Sequence, residues 1–205
     1  MLHYSTYLHN TSTEWVTFIH GAGGNSSIWY KQVRDFKRNF NVLLVDLRGH
    51  GNSKNSFKDT LSKYSFRTVT KDVLDVLDHL KIAQSHFIGI SMGCILAREL
   101  AEIAPDRVKS LVMGGAVLKL DLKSQILMKL GNIFKSVLPY MVLYKLFAFV
   151  ILPKRKHKHS RNIFIREAQK LYQKEFLKWF RLTADLNPIL KFIRNKEINI
   201  PTLYV

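Results

Sequence analysis

Two hydrophobic rhythms trade places along the chain as far as Gly115, and each predicts its own kind of element. His3 to His9 alternates weakly and predicts an opening strand, and Trp15-Val16-Thr17-Phe18-Ile19 predicts a clearer one. Val42-Leu43-Leu44-Val45 is a continuous apolar run, the pattern of a strand buried on both faces of a parallel sheet. Phe66, Val69, Val73, Leu74, Leu77 and Leu80 recur at helical spacing and predict a helix from about Ser65 to Leu80. Phe87 and Ile88 then form a short strand, while Ile95, Leu96, Leu100 and Ile103 continue at helical spacing until Pro105. Val108 to Gly115 gives another strand, and a helix from about Ser27 to Arg38 is ended by Asn39 and Asn41.

Strands alternating with helices predict an α/β class fold, a doubly wound and mostly parallel sheet. Ligands bind such sheets beyond the C-terminal strand ends. The loops that begin at His20, Asp46 and Ser91 lie there, as does the loop after Gly115.

Past Leu118 the strand rhythm stops. Ile126 to Leu152 is mostly apolar, interrupted by Gly131 and Pro139. Ile133 to Leu152 reaches the length of about 20 residues that a membrane-spanning helix needs. Lys135, Pro139 and Lys145 lie inside it, so a spanning helix is not expected.

Composition narrows the class. The chain has 205 residues, of which 47% are hydrophobic, enough for one globular domain with an insertion. Met1-Leu2-His3-Tyr4-Ser5 lacks the pattern of a signal peptide. A single cysteine, Cys94, rules out an internal disulfide framework and fits a reducing, cytoplasmic location. The formal charge is +17, and from Lys119 to Arg181 there are 15 Lys and Arg against 3 Asp and Glu, a local +12. Lys154-Arg155-Lys156-His157-Lys158-His159 is the densest run. A solvated loop between helices accounts for it most simply. The sharper readings are peripheral attraction to an anionic membrane surface and steering of an anionic substrate. Nucleic acid is not expected, because no recognised module accompanies the run. His157 and His159 have no carboxylate or cysteine beside them, so no metal site is predicted.

The chemistry centres on Gly89-Ile90-Ser91-Met92-Gly93, which fits G-x-S-x-G. A serine held on a tight strand-to-helix corner has a strained backbone, and small residues two positions either side let strand and helix approach. Its hydroxyl then projects above the sheet edge at a helix N-terminus, where free N–H groups favour a developing oxyanion. A second loop, His20-Gly21-Ala22-Gly23-Gly24-Asn25-Ser26, follows a strand directly. It lacks both the Lys-Ser/Thr ending of a P-loop and the G-x-G-x-x-G spacing.

Taken in order, His20-Gly21-Ala22-Gly23-Gly24, Asp46-Leu47-Arg48-Gly49-His50-Gly51-Asn52-Ser53 and Gly89-Ile90-Ser91-Met92-Gly93 resemble the α/β-hydrolase family, in particular its lid-bearing serine esterase and lyase members. The resemblance covers about residues 14–118 and resumes at Ile200 to Val205. It implies a hydrolase core over residues 1–118, a helical cap over 119–182 whose apolar faces line an acyl pocket, and a return to the core over 183–205.

It also implies roles. Ser91 is the expected nucleophile, with the backbone N–H groups of Met92 and Ala22 forming the oxyanion hole. His20 shapes its own loop and His50 packs beneath the site, so neither is the expected base. His86 lies five residues before Ser91, roughly 16 Å away along an extended chain. Cys94 is expected to be packed rather than reactive. The family orders its triad as serine, acid, histidine; acid and histidine usually follow the strand resembling Ile200 to Val205. Asp121 is an alternative acid, and no histidine in this chain takes the catalytic place. The expectation is therefore a chain truncated before its last catalytic elements and weakly active or inactive by itself.

The combined reading is serine nucleophilic catalysis on a carboxylic ester or related acyl bond through an acyl-enzyme, with no cofactor and no metal. A lyase of the menaquinone-pathway type, eliminating pyruvate, is the alternative, although that group prefers glycine where this chain has Cys94. A non-enzymatic membrane-associated module is the third reading, favoured only if the complete protein also lacks the later histidine.

Overall fold

The computed structural model describes residues 1–54, 64–117, 122–134, 138–169, 173–184, 186, 190–191 and 195–205. The chain divides into two compact units, 1–117 with 196–205, and 118–195. The second unit thus runs on to Asn195, past the 182 at which the sequence pattern returned the chain to the core.

In the first unit, β1 (Tyr4–Tyr7), β2 (Trp15–Ile19), β3 (Asn41–Val45), β4 (Ser85–Ile90), β5 (Val108–Gly114) and β6 (Thr202–Tyr204) form one sheet in the order β1-β3-β2-β4-β5-β6. Only β1 is antiparallel to its neighbour. All five residues of β3 are buried, which is what a continuous apolar run on a doubly covered sheet predicts.

Helices α1 (Tyr30–Phe36), α2 (Phe66–His79) and α3 (Met92–Ile103) connect the strands. On one face Val16, Phe18, Val42 and Leu44 pack with Val33 and Phe36 of α1, and Phe36 meets Phe18 edge-on at 5.1 Å. Period-two alternation sends Thr17, Leu43 and Phe87, which are in register, to the opposite face, where all three are equally buried. Each of the large apolar side chains is worth about 1.5–3 kcal/mol on burial.

Local signals set the boundaries. Ser65 caps α2 by accepting from the Thr68 N–H at 3.0 Å. The helix expected from Ser27 begins instead as a tight 3-10 turn over Ser26–Trp29, because the Asn25 side chain accepts from the Ser27 N–H. Buried Arg48 and Asp72 pair through two hydrogen bonds and tie the loop after β3 to α2. Arg98 and Lys196 both pair with Glu102. Arg98 also donates to the Lys196 carbonyl at 2.8 Å, fastening the segment that leads into β6. Burial alone would raise the Glu102 carboxyl, but its bonds from Lys196 and Arg98 win and hold it below its ordinary range.

The second unit is helical: α4 (Leu122–Phe134), α5 (Tyr140–Ile151), α6 (Lys158–Ala168) and α7 (Gln173–Ala184). Its core gathers Leu143, Tyr144, Ala168 and Phe180, with Phe147 and Phe164 packed against them. The long apolar stretch is two helices because Pro139 stands at the N-terminus of α5. Among the described residues, no helix is long and apolar enough to cross a membrane.

Candidate active site

Ser91 sits between the last residue of β4 and the first of α3, with φ +53° and ψ −116°. Positive φ is costly for a residue with a Cβ, and at functional corners such strain is of order 1–3 kcal/mol. Two backbone bonds hold it there. The Ser91 N–H donates to the Gly114 carbonyl at the end of β5 at 2.9 Å, and the Cys94 N–H donates to the Ser91 carbonyl at 3.0 Å. The side chain is exposed at the C-terminal edge of the sheet.

The two glycines of the pattern answer to packing. A Cβ on Gly89 would stand 2.6 Å from the carbonyl carbon of Gly93, and one on Gly93 would strike the carbonyl of Ile19 and lie 2.9 Å from that of His20. These are backbone atoms of the sheet and helix, with no side chain to swing aside. Gly21 borders the serine itself: a Cβ there would be 3.3 Å from Ser91 Cβ and 3.8 Å from its Oγ. Sequence reasoning singled out neither this contact nor the Gly114 carbonyl, and the run Gly114-Gly115 at a strand end was the available signal.

Met92 opens α3, so its N–H has no acceptor within the helix. Ala22, half-buried, occupies the turn after Gly21. Asp121 lies outside the described residues.

His20 and His50 are fully buried, their rings 5.0 Å apart, and both are committed to loop backbone. His20 Nε2 accepts from the Leu47 N–H at 3.0 Å, which leaves Nδ1–H to donate to the Gly21 carbonyl at 2.7 Å. His50 Nε2 accepts from the Gly23 N–H at 2.9 Å, and its Nδ1–H donates to the Arg48 carbonyl at 2.9 Å. Each ring therefore needs to be neutral. Burial holds His20 below its ordinary value, and burial together with the neighbouring His20 pushes His50 down to about 3. Asp46 completes the scaffold by accepting from the Ser26 and Asn52 N–H groups at 2.7 and 2.9 Å.

His86 hydrogen-bonds Ser110 at 2.7 Å and lies 3.5 Å from Glu14, at the other end of β4. Among the described residues, no imidazole or carboxylate is hydrogen-bonded to Ser91 Oγ. Cys94 is buried, its thiol donating to the Gly89 and Gly114 carbonyls at 3.3 and 3.4 Å, and burial pushes it up to about 12. It is packing, not a nucleophile.

A pH prediction arises here. A histidine whose folded value is depressed contributes stability that is complete above its unfolded value near 6.5 and is lost as pH falls toward the folded one. Below pH 6.5 unfolding stability should fall as pH drops, by about 1.4 kcal/mol per pH unit for His50, whose folded value lies near 3, with His20 adding a loss of the same sign. His50→Gln, whose amide oxygen can still accept from Gly23, should flatten that slope. Urea titrations at several pH values measure it, and an unchanged slope would contradict the buried neutral assignment.

The comparisons with known proteins agree with this geometry. The family model described as alpha/beta hydrolase fold matches residues 14–144. The chain belongs to that family. It is 32% identical over 105 residues to 3-oxoadipate enol-lactonase 1 of Acinetobacter baylyi, a match covering 51% of this chain and 38% of that protein. It is 35% identical over 98 residues to the pimeloyl-[acyl-carrier protein] methyl ester esterase of Methylococcus capsulatus, covering 48% and 35%. These matches span little more than a third of either relative's length. Among solved structures, MenH from S. aureus superposes with a TM-score of 0.78 at 20% identity, covering 100% of this chain and 79% of that one. The enol-lactonase from Burkholderia xenovorans gives 0.74 at 21%, covering 99% and 76%.

Proposed function

We propose that the protein acts by serine nucleophilic catalysis on a carboxylic ester or related acyl bond. The observation that supports this most is the backbone of Ser91. An exposed serine is held at φ +53° by bonds from two elements, and the strain gains nothing in packing for its side chain. A hydroxyl presented at a helix N-terminus does gain reactivity.

In the reaction, Ser91 Oγ attacks the carbonyl carbon as its proton passes to a base. The oxyanion accepts hydrogen bonds from the N–H groups of Met92 and Ala22. Collapse expels the alcohol, which takes the proton, and leaves an acyl-enzyme. Water then attacks the acyl carbon, and the acid departs as Ser91 recovers its proton. The relatives named as an enol-lactonase and a methyl ester esterase carry the names of ester-cleaving enzymes, which supports the same bond class here. His20 and His50 are occupied at both ring nitrogens, so neither serves as the base.

Chromogenic short-chain esters test the reading. The protein is expected to cleave them; failure on every one, together with turnover of an anionic elimination substrate, would overturn ester hydrolysis in favour of a lyase.

A further inference from the structure

The helical unit carries two features of its own. The first is apolar surface. On α4 the side chains of Leu122, Ile126, Leu130, Ile133 and Phe134 are exposed, Leu122 at 72% and Ile133 at 67%. Their spacing puts them on one face. On α5, Val142, Leu146, Phe149 and Val150 form a second exposed stripe, with Phe149 at 54%. The unit's core is built from other residues, although Phe149 also carries the Arg161 guanidinium over its ring at 4.3 Å. Leu143, Tyr144 and Phe147 take α5 into the core, and α4 meets Phe147 and Phe180 at Gly131. Helix α5 is thus apolar on its packed face and again on its open one, more than a water-facing helix needs. Exposed Lys129 and Lys145 border the stripes.

The second feature is charge. The same part of the chain carries the excess of 15 basic over 3 acidic side chains between Lys119 and Arg181. Lys154, Arg155, Lys156 and Lys158, at the α5–α6 turn, are all exposed.

We propose that the open faces of α4 and α5, with the basic turn beside them, dock on the surface of an anionic lipid bilayer. Apolar stripes flanked by long cationic side chains are what an interfacial helix presents: the stripe enters the headgroup boundary, and the lysines reach back to lipid phosphates. Helix α5 has 12 residues and so is about 18 Å long, short of the ~30 Å hydrocarbon core, which places it along the interface and not across it. A second copy of the chain would bring two strongly basic units together against their own repulsion. A nucleic acid would leave leucine, isoleucine and phenylalanine with nothing to contact, because its affinity comes from phosphate. This docking does not depend on the reaction at Ser91.

The test uses residues 1–205 and phosphatidylcholine vesicles with or without phosphatidylserine. Co-sedimentation is expected only with phosphatidylserine and should fall steeply with salt. Changing Lys154, Arg155, Lys156 and Lys158 to Gln together should lower partitioning about 10²–10³-fold. The pair Ile133→Glu and Phe149→Glu, both at exposed positions, should lower it at least about tenfold while circular dichroism is unchanged. A polarity-sensitive dye on Ile133→Cys should shift to the blue on binding; buried Cys94 will not compete for the label. Equal binding to neutral vesicles, or a dye that does not shift, would overturn the proposal. So would a salt-resistant dimer dissolved by the two glutamates, or RNA binding tighter than vesicle binding and indifferent to them.

Discussion

Ser91→Ala is expected to slow ester cleavage by the protein by about 10⁴–10⁶-fold without unfolding it. Alanine keeps the Cβ that position 91 already accommodates at φ +53°. The backbone bonds to Gly114 and from Cys94 survive, and so does the Met92 N–H at the start of α3. Only the nucleophile is lost. Measuring kcat/KM with and without the substitution gives the contrast, and undiminished turnover in the alanine variant would remove Ser91 from the mechanism.

Gly93→Ala should be the most damaging single methyl in the sheet unit. Its Cβ would strike the Ile19 carbonyl and crowd that of His20, both at the end of the central strand β2. Relief requires α3 to lift from the sheet, an overpacking cost of about 1–3 kcal/mol or more, which outweighs the roughly 1 kcal/mol by which alanine favours a helix interior over glycine. The melting temperature should fall by about 2–8 °C, and ester turnover should fall with it because Ser91 moves with α3. Gly131→Ala is the control. There the nearest atom is the tip of the Phe180 ring, a side-chain atom that a small tilt can shift where backbone cannot, so stability should stay within about 1 kcal/mol of the parent. Calorimetry on the two variants compares them, and equal losses would mean that close backbone approach is not what glycine provides at the elbow.

The elements were readable where one physical cause set the pattern. Val42 to Val45 showed a strand covered on both faces because such a strand has no polar side, and all four are fully buried. Gly89 and Gly93 showed the elbow because only glycine allows backbone to touch backbone. Strand order left no such trace. That β2 lies between β3 and β4 while β1 reverses onto β3 depends on crossover handedness and pairing, not on composition. The end of the helical unit left no trace either, because the helical pattern of α7 does not mark where the chain leaves that unit at Asn195.

At the site, residue types gave the nucleophile but not its surroundings. Sequence placed His20 and His50 in loops, yet their four backbone partners, Gly21, Gly23, Leu47 and Arg48, come from two separate segments. No spacing rule links those segments. The Gly114 carbonyl that holds the Ser91 N–H belongs to a third, and a backbone acceptor leaves no mark on side-chain identity.

The most direct test of nucleophilic catalysis at Ser91 is covalent. A fluorophosphonate incubated with the protein should add one phosphonyl group per chain, and peptide mass mapping should place it on Ser91, with none on Cys94 and none after Ser91→Ala. An adduct on another residue, or stoichiometric labelling that persists in the alanine variant, would contradict it.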